Sequence, residues 1–441
     1  MRLPPFSLIF PLVSLLFSFS FATQNFEFVQ CLESQNADFS ISSSNILYTP
    51  QASSYSSILQ ISIQNLVFNS STTLKPTFII TPLDESHVQA TVICSSKHQL
   101  QLRIRSGGHD YEGLSYISNA PFVLIDLVNL RKVDVNLSDN TAWVQAGAIL
   151  GEVYYSIFNQ SKVHGFPAGV CPTIGVGGHI SGGGQGTLMR KYGLAADNVV
   201  DAKIVDAKGN ILDRRSPAGE DLFWAIRGGG GGSFGVILSW KITLVKVPPL
   251  VTIFTARRTL EQGAEELVNR WQQTADKFHE DLFIRVIISR ANDSRGGKTV
   301  GAAFNSLFLG TIKELLPLMT NSFPELGLKA EECREMSWLE TILYFDNGYP
   351  NGISIDSLLN RTRLNKPYFK AKSDFVKTPI PITGLKGLSE LFLDDNAGIM
   401  IMDPYGGKMS SISKSKLHSL IEEEPCTISN ILRVGIRMIL K

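Results

Sequence analysis

Glycine is concentrated in three short clusters, and this placement constrains the fold more than any other feature of the sequence. The clusters are RSGGHDYEG at 105–113, GFPAGVCPTIGVGGHISGGGQG at 165–186 and RGGGGGSFG at 227–235. Glycine has no Cβ, so its backbone N–H groups can approach a pyrophosphate closely and adopt positive φ. Three such loops favour a long, extended ligand that carries phosphate groups. Ordinary tight turns are the alternative, and they explain one cluster more readily than three.

The segments around these clusters predict an α+β fold that divides near residue 247. From 75 to 246, short β-like runs alternate with glycine-rich turns, at 76–81, 102–105, 122–126, 142–146 and 199–205. The sequence VPPL at 247–250 breaks the pattern. Beyond it, we expect helices over 260–280 and 312–321, the second interrupted by Pro317, and strands over 282–289, 300–309 and 399–402.

Two familiar motifs match the third cluster but lie in the wrong context. The sequence contains G-x-G-x-x-G at 230–235 and G-x-S-x-G at 231–235. Both motifs need a strand before them and a helix after them. Here a helix-like run precedes at 221–226 and a strand-like run follows at 236–244. The sequence therefore argues against a Rossmann fingerprint and a serine hydrolase, and no spacing of His, Cys and carboxylates predicts a metal site.

Charge and the N-terminus indicate the compartment and the kind of partner. Lys and Arg total 41 against 40 acidic residues, without a polybasic run, so we expect a small-molecule substrate and no nucleic acid. Residues 1–22 resemble a signal peptide, with an apolar run at 6–19 and small residues at 20–22. A membrane anchor is the alternative, but the run is short and broken by Pro11, and we expect no stable membrane insertion.

Sequons fit passage through the secretory pathway. They lie at Asn69, Asn136, Asn159, Asn292 and Asn360. Together with the signal sequence they predict a secreted glycoprotein of the extracellular space, cell wall or vacuole. The sequence leaves the oligomeric state open.

Five cysteines are present, an odd number for an oxidising compartment, so at least one is unpaired or otherwise used. A disulfide between Cys31 and Cys94 would tie down the N-terminus of the mature chain. Cys171 lies among glycines rather than on a core face. It is the cysteine whose role most needs an explanation.

Three motifs carry a strong resemblance to plant berberine bridge enzyme-like flavoproteins, of the vanillyl-alcohol-oxidase type. They are RSGGHDYEG at 105–113, GVCPT at 169–173 and LMRKYGLAADN at 188–198, within a resemblance that covers about 25–408. The resemblance implies a two-part PCMH-type FAD-binding domain over 23–247, with its core at about 73–247. It also implies a substrate-binding domain over 248–408, with an antiparallel sheet covered by helices.

The resemblance implies FAD attached through two covalent bonds, from His109 to the flavin 8α methyl group and from Cys171 to ring carbon 6. Imidazole and thiol are both nucleophiles that can add to an activated flavin. Their alternative roles are a loop hydrogen-bond donor and a small core residue. The assignment leaves Cys31 paired with Cys94, and Cys333 buried and free. The expected FAD-binding positions are Arg105, Ser106, Gly107, Gly108, His109, Gly169, Cys171, Thr173, Gly177, Gly178, His179, Gly182, Gly183, Gly184 and Gly235.

The family implies hydride transfer from a substrate C–H bond to the flavin, here from an alcohol group of a carbohydrate or a monolignol-like phenylpropanoid. Tyr111 resembles a tyrosine that lines the family's substrate pocket. Gln185 stands where the family often has tyrosine, and an amide cannot become a phenolate. Ile174 resembles a position that controls oxygen access by side-chain size, which predicts dehydrogenase behaviour. The alternatives are a catalytically impaired flavin-binding remnant and a defence-related binding protein.

The C-terminal tail over 409–441 departs from the family. Residues 421–431 read IEEEPCTISNI, where the family has a segment resembling HRRGTLYNIQY. Plausible codons for that segment, read one base out of phase, translate to the sequence found here. We therefore predict a frameshift in the gene or its inferred coding sequence just before Ile421, which sequencing of the transcript tests. A naturally divergent tail is the alternative.

Overall fold

The computed structural model describes residues 25–39, 45–347, 353–362, 366–376, 378–394 and 397–412, and the backbone alone of 434–440. The expected signal peptide at 1–22 and the segment 421–431 lie outside the described residues. No helix within the described residues is long and apolar enough to cross a membrane.

The first layer is a four-stranded sheet in the order β1-β2-β4-β3. Its strands are β1 Leu47–Tyr48, β2 Phe78–Ile80, β3 Gln101–Arg105 and β4 Phe122–Asp126. The central strand β4 is buried at every position, as is typical of a strand with parallel neighbours and both faces covered. The accompanying helices are α1 over 25–35, α2 Tyr55–Ile61 and α3 Glu85–Lys97. A disulfide between Cys31 and Cys94 joins α1 to α3, which confirms the expected pairing.

The second layer is a five-stranded antiparallel sheet in the order β5-β6-β10-β8-β9, with a separate pair β7 and β11. The strands are β5 Val133–Asn136, β6 Thr141–Gln145, β7 His164–Gly165, β8 Val199–Val205, β9 Ile211–Leu212, β10 Val236–Thr243 and β11 Val245–Lys246. The helices of this part are α4 Leu150–Gln160, α5 Val176–Ser181, α6 Met189–Tyr192 and α7 Gly219–Ile226. The third glycine cluster thus follows helix α7 and precedes strand β10, the reverse of a Rossmann arrangement.

The third layer is a seven-stranded antiparallel sheet in the order β15-β12-β14-β13-β17-β18-β16. Its strands are β12 Val251–Thr259, β13 Leu282–Asn292, β14 Lys298–Phe308, β15 Cys333–Met336, β16 Lys370–Val376, β17 Ile399–Pro404 and β18 Val434–Leu440. The helices are α8 Ala264–Thr274, α9 Ile312–Ser322, α10 Trp338–Asn347, α11 Ile382–Phe392 and α12 Lys408–Ser411. Helix α9 continues through Pro317. The expected α+β fold with an antiparallel sheet covered by helices is confirmed.

The two faces of the third sheet pack against different parts of the molecule. One face contributes Phe254, Val286 and Phe304 to a core that it shares with residues of α8, α9 and α11. From the other face, Ile253 and Leu307 join the core of the second layer. A strand presents alternate residues to opposite faces, so the second set of side chains looks toward the glycine-rich loops. The backbone of β18, from the tail, pairs with β16 and β17.

Candidate active site

The three glycine clusters meet around helix α5. The Ser106 hydroxyl of the first cluster donates to the Ala146 carbonyl over 2.5 Å, and a Cβ placed on Gly107 would lie 2.2 Å from the Gly175 nitrogen. In the third cluster, the N–H groups of Gly228 and Gly230 donate to the Ser181 carbonyl at 3.0 and 2.9 Å. The structure therefore brings segments separated by more than 100 residues to one short helix.

The glycines in these clusters have two different structural roles. A Cβ placed on Gly178 or Gly230 would meet no atom within 4 Å, so these positions border open space. In contrast, a Cβ on Gly235 would lie 2.3 Å from the Val205 carbonyl oxygen. One on Gly184 would lie 2.5 Å from the Ala195 Cβ. The first kind can admit a phosphate to the backbone, whereas the second lets two segments pack closely.

The remaining expected FAD-binding glycines are mostly of the packing kind. A Cβ on Gly177 would come within 3.0 Å of the Ala146 oxygen, and one on Gly108 within 1.8 Å of the Ser62 oxygen. Gly182 is exposed at the end of α5, and Gly183 follows with φ of 100°. The sequence reasoning did not separate these roles, because a packing glycine and a ligand-binding glycine look the same in one sequence.

Arg105 stabilises the base of the first loop. It is fully buried, and its guanidinium donates to the Asp126 carboxylate at 2.6 Å and to the Leu59 carbonyl at 2.7 Å. The positive charge of the guanidinium is thus paired with a carboxylate within the first layer. Arg105 thus anchors the loop that carries His109 at the end of strand β3.

The loop that carries Cys171 is held at Gly169 from two directions. The Gly169 N–H donates to Nε2 of His179 at 3.0 Å, and its carbonyl accepts from the Tyr154 hydroxyl at 2.6 Å. Burial, together with the nearby Cys171 thiol, raises the pKa of Tyr154 well above its usual value. His179, an expected FAD-binding residue, therefore supports this loop through its imidazole.

His109 and Thr173 connect the first loop to the second. Nε2 of His109 and Oγ1 of Thr173 are 2.9 Å apart, a hydrogen-bonding distance. Thr173 is buried, and Cys171, two residues earlier, is half-buried and not in a disulfide. The structure thus brings together the loops of the two residues expected to bond the flavin.

The opposite wall of the site is the third sheet. Thr255, Asn305, Arg285 and Asp403 are half-buried neighbours across β12, β14, β13 and β17. The Asn305 amide donates to the Thr255 hydroxyl at 3.1 Å. We call these four residues the polar row. Because they alternate with buried apolar residues, they share the face that looks toward the glycine-rich loops.

Arg285 and Asp403 form a bidentate ion pair, with Nε–Oδ1 at 2.5 Å and Nη2–Oδ2 at 3.0 Å. Burial alone would lower the pKa of Arg285, but the carboxylate of Asp403 reverses this and raises it. Cys171 and Tyr111 raise the pKa further, so both lie within electrostatic range of the guanidinium. Sequence reasoning missed Arg285, although a lone charge within the apolar run LFIRVII is a recognisable signal.

Tyr111 and Gln185 lie at the edges of the two walls. The Tyr111 ring meets Phe369 edge to face, with 5.4 Å between centroids. The amide of Gln185 donates to the hydroxyl of the buried Tyr405, two residues after Asp403. Ile174 is half-buried and packs against the core of the second layer. The expected catalytic positions therefore border the space between the loops and the polar row.

One other cluster brings ligand-type side chains together within the described residues, although sequence spacing did not indicate it. Ligand atoms of Asp38, Asp84 and His87 lie within 4.8 Å of one another. Nδ1 of His87 accepts the Leu83 N–H at 3.2 Å, and its Nε2 faces Asp38 at 3.2 Å. Both ring nitrogens are thus engaged, and the contact to Asp38 joins the N-terminal segment to α3.

The residues around α5 fit an extended flavin dinucleotide. Gly178 and Gly230 leave open space beside the backbone for a pyrophosphate. His109 and Cys171 supply two nucleophiles on joined loops, and the polar row closes the opposite side. FAD held here would supply the redox chemistry.

Comparison with known proteins supports this reading. Residues 76–214 match the model of a family described as an FAD binding domain. Tetrahydroberberine oxidase from Berberis wilsoniae is 53% identical over 422 residues, which cover 92% of this chain and 77% of that protein. Monolignol oxidoreductase AtBBE-like 13 from Arabidopsis thaliana is 51% identical over 402 residues, which cover 90% and 75%.

Solved structures agree over nearly the whole chain. Wild-type Phl p 4.0202, a glucose dehydrogenase, superposes with a TM-score of 0.85 at 42% identity, covering 94% of this chain and 80% of that one. An isoleucine-to-valine variant of Phl p 4, a glucose oxidase, has a TM-score of 0.85 at 41% identity with the same coverage. A variant of berberine bridge enzyme has a TM-score of 0.84 at 38% identity, again covering 94% and 80%. This chain therefore belongs to the berberine bridge enzyme-like family of FAD-linked oxidoreductases.

Proposed function

We propose that this chain binds FAD covalently through both His109 and Cys171. We further propose that it oxidises an alcohol group of a carbohydrate or a monolignol-like phenylpropanoid by hydride transfer to the flavin. The observation that carries this proposal is the 2.9 Å contact between His109 and Thr173, which joins the two attachment loops opposite the Arg285–Asp403 pair. A group bonded to both loops would lie between them and the polar row.

The side chains of the chain would bind and orient the substrate. Thr255 and Asn305 offer a hydroxyl and an amide on the sheet wall, groups that can hydrogen-bond substrate hydroxyls. Tyr111 would line the pocket with its ring. Gln185 can orient the substrate hydroxyl but does not accept its proton at neutral pH, since an amide is not a base.

The two proposed substrate classes are supported by the activities of relatives and by the polar row. Monolignol oxidoreductase and glucose dehydrogenase are activities of proteins similar to this chain. The test is anaerobic mixing of the purified protein with sugars and with monolignols. Rapid bleaching of the flavin absorbance by one class supports the proposal and chooses between the two.

A catalytically impaired remnant, or a defence-related binding protein that retains FAD, is the second candidate. Gln185 favours this candidate, because it stands where the family often has tyrosine. Its amide hydrogen-bonds the hydroxyl of Tyr405. Bound flavin that no sugar or monolignol bleaches would support this candidate. Rescue of bleaching in Gln185→Tyr would identify the residue responsible.

The covalent links can be separated by substitution. We expect His109→Ala to retain one link through Cys171, and Cys171→Ala to retain one through His109. Either change should lower the flavin redox potential, since each link makes the ring a better electron acceptor. Acid precipitation followed by peptide mass mapping measures the links, with Cys333→Ala as the matched cysteine control. Release of all flavin from the unmodified protein would contradict the attachment.

We also propose that the chain is exported and glycosylated. Asn136, Asn159, Asn292 and Asn360 are exposed, and Asn69 is half-buried. The disulfide between Cys31 and Cys94 fits an oxidising compartment. Recovery from the medium or the vacuole of plant cells, with a mass that falls on glycosidase treatment, supports export. Retention in the cytosol without glycans would contradict it.

A further inference from the structure

We propose that Thr173 is a positioning residue for the covalent attachment of flavin to His109. Its hydroxyl holds Nε2 of the imidazole, so that Nδ1 is the atom that bonds the flavin 8α carbon. This inference rests on the proposed attachment through His109. It assigns a specific task to a residue that sequence reasoning placed only among the FAD-binding positions.

The backbone that carries Thr173 is held by hydrogen bonds on both sides. The Gly151 N–H donates to the Pro172 carbonyl at 2.9 Å, and the Leu150 N–H donates to the Ile174 carbonyl at 2.9 Å. Both donors belong to the first turn of α4. Thr173 itself is 6% exposed, so water has little access to its side chain.

The backbone that carries His109 is equally constrained. Gly108 has φ of 69°, and a Cβ there would lie 1.8 Å from the Ser62 carbonyl oxygen. A Cβ on Gly107 would collide with the Gly175 nitrogen at 2.2 Å. With the backbone packed on both sides, rotation of the imidazole is the main remaining freedom. The 2.9 Å contact from Nε2 to Thr173 Oγ1 restricts that rotation.

The same contact selects the reactive nitrogen. A neutral imidazole has one N–H and one basic nitrogen. If Nε2–H donates to Thr173 Oγ1, the lone pair is on Nδ1. In the bonding step an 8α C–H bond breaks, an Nδ1–C bond forms, and the flavin gains two electrons. The 8α proton and the imidazole proton are both released, and the ring takes up two protons. Molecular oxygen then reoxidises the ring and becomes hydrogen peroxide.

Thr173 would accelerate this step as well as orient it. When Nδ1 bonds to carbon, the imidazole becomes positively charged until it loses the Nε2 proton. A hydrogen bond from a charged donor is stronger than one from a neutral donor, so the contact to Thr173 strengthens as the bond forms. An interaction that is stronger in the transition state than in the ground state lowers the barrier.

The experiment compares Thr173→Val, which removes the hydroxyl at similar volume, with Thr173→Ser, which retains it. Thr252→Val is the control, because it also removes a buried threonine hydroxyl, but in the third sheet and away from His109. The Thr252 hydroxyl donates to the Gly310 carbonyl at 2.7 Å. Each protein is produced with limiting riboflavin and then supplied with FAD. Flavin on the peptides that contain His109 and Cys171 is measured over time by mass spectrometry.

We expect Thr173→Val to slow the His109 link by on the order of tenfold or more, while the Cys171 link forms at the wild-type rate. Thr173→Ser and Thr252→Val should behave like the wild type. Equal rates of His109 linkage in Thr173→Val and wild type would overturn the proposal, as would equal slowing of both links. Absence of a His109 link in the wild type would instead refute the attachment itself. If Thr173→Val fails to fold, Thr173→Ala removes the same hydroxyl with less volume and is read in the same way.

Discussion

The two walls of the candidate active site are built on different physical principles. The loop wall, over 105–113, 165–186 and 227–235, is positioned by backbone hydrogen bonds and by glycines that allow close approach. The sheet wall consists of the polar row, whose members are placed by strand register. In the loop wall, residue type determines backbone geometry. In the sheet wall, the register of the strands determines which side chains face the loops, and the residue types themselves are ordinary.

This difference affects how each wall responds to substitution. A change in the loop wall should alter how FAD is held, because in the proposed site the backbone itself contacts the ligand. A change in the polar row should leave flavin attachment intact and alter the reaction of the substrate. Substitutions in the two walls, and at contacts between them, test this distinction.

Arg190 connects α6, which follows the second glycine cluster, to backbone beside the polar row, and we expect its loss to have the largest effect. It lies in α6 and donates to the carbonyls of Leu282, Tyr405 and Phe278 at 2.9, 2.7 and 2.5 Å. Arg190→Ala would leave these buried carbonyls unpaired and should reduce the free energy of unfolding by about 3–5 kcal/mol. Denaturant titration measures this, with the exposed Arg215→Ala as control. A loss equal to that of the control would mean that the walls are held together elsewhere.

The disulfide lies outside both walls and should affect stability alone. It closes a sequence separation of 63 residues between Cys31 and Cys94. Its loss in Cys31→Ser should cost about 4 kcal/mol on the loop-entropy model. We expect a lower Tm with an unchanged flavin absorbance spectrum. A changed spectrum would show that the loop wall depends on this distant link.

Arg285→Met tests the sheet wall. Methionine keeps much of the volume but leaves the Asp403 carboxylate without its partner, and that negative charge opposes reduction of the flavin. Flavin reduction by substrate should slow about 100-fold, equivalent to about 2.7 kcal/mol, with covalent flavin content unchanged. Arg258→Met is the matched control, because Arg258 lies in β12 of the same sheet and pairs with Glu332 at 3.1 Å. Loss of covalent flavin in Arg285→Met would contradict the separation of the walls.

Ile174→Val tests the loop wall with the smallest change, one methylene group. If Ile174 limits oxygen access, the reduced flavin of the variant should react with oxygen at least about tenfold faster, a barrier difference of about 1.4 kcal/mol. The glucose oxidase form of Phl p 4 carries the same type of exchange. Stopped-flow reoxidation measures the rates, with the core substitution Ile180→Val as control. Equal oxygen rates would assign Ile174 a packing role.

Short β-like runs in the sequence predicted the bounds of two strands accurately. The expected strands at 122–126 and 199–205 match β4 and β8 residue for residue. Strand β18 was not expected, because it lies in the tail over 409–441, which was predicted from the sequence to depart from the family. Its backbone nevertheless pairs with β16 and β17.

Sequence reasoning predicted the loop wall as the FAD-binding region because its chemistry is local. The glycines, His109, Cys171 and Thr173 stand in short segments whose residue types are unusual. It also predicted the Cys31–Cys94 pairing and several of the strands, among them β4 and β8. It did not identify the polar row, whose members are spread from 255 to 403 and are each unremarkable in their own strand. Only the antiparallel register places Arg285 opposite Asp403, and only packing of the sheet on the second layer turns that pair toward Cys171. Local residue type determines backbone conformation, whereas the position of a strand side chain depends on neighbours that are distant in sequence.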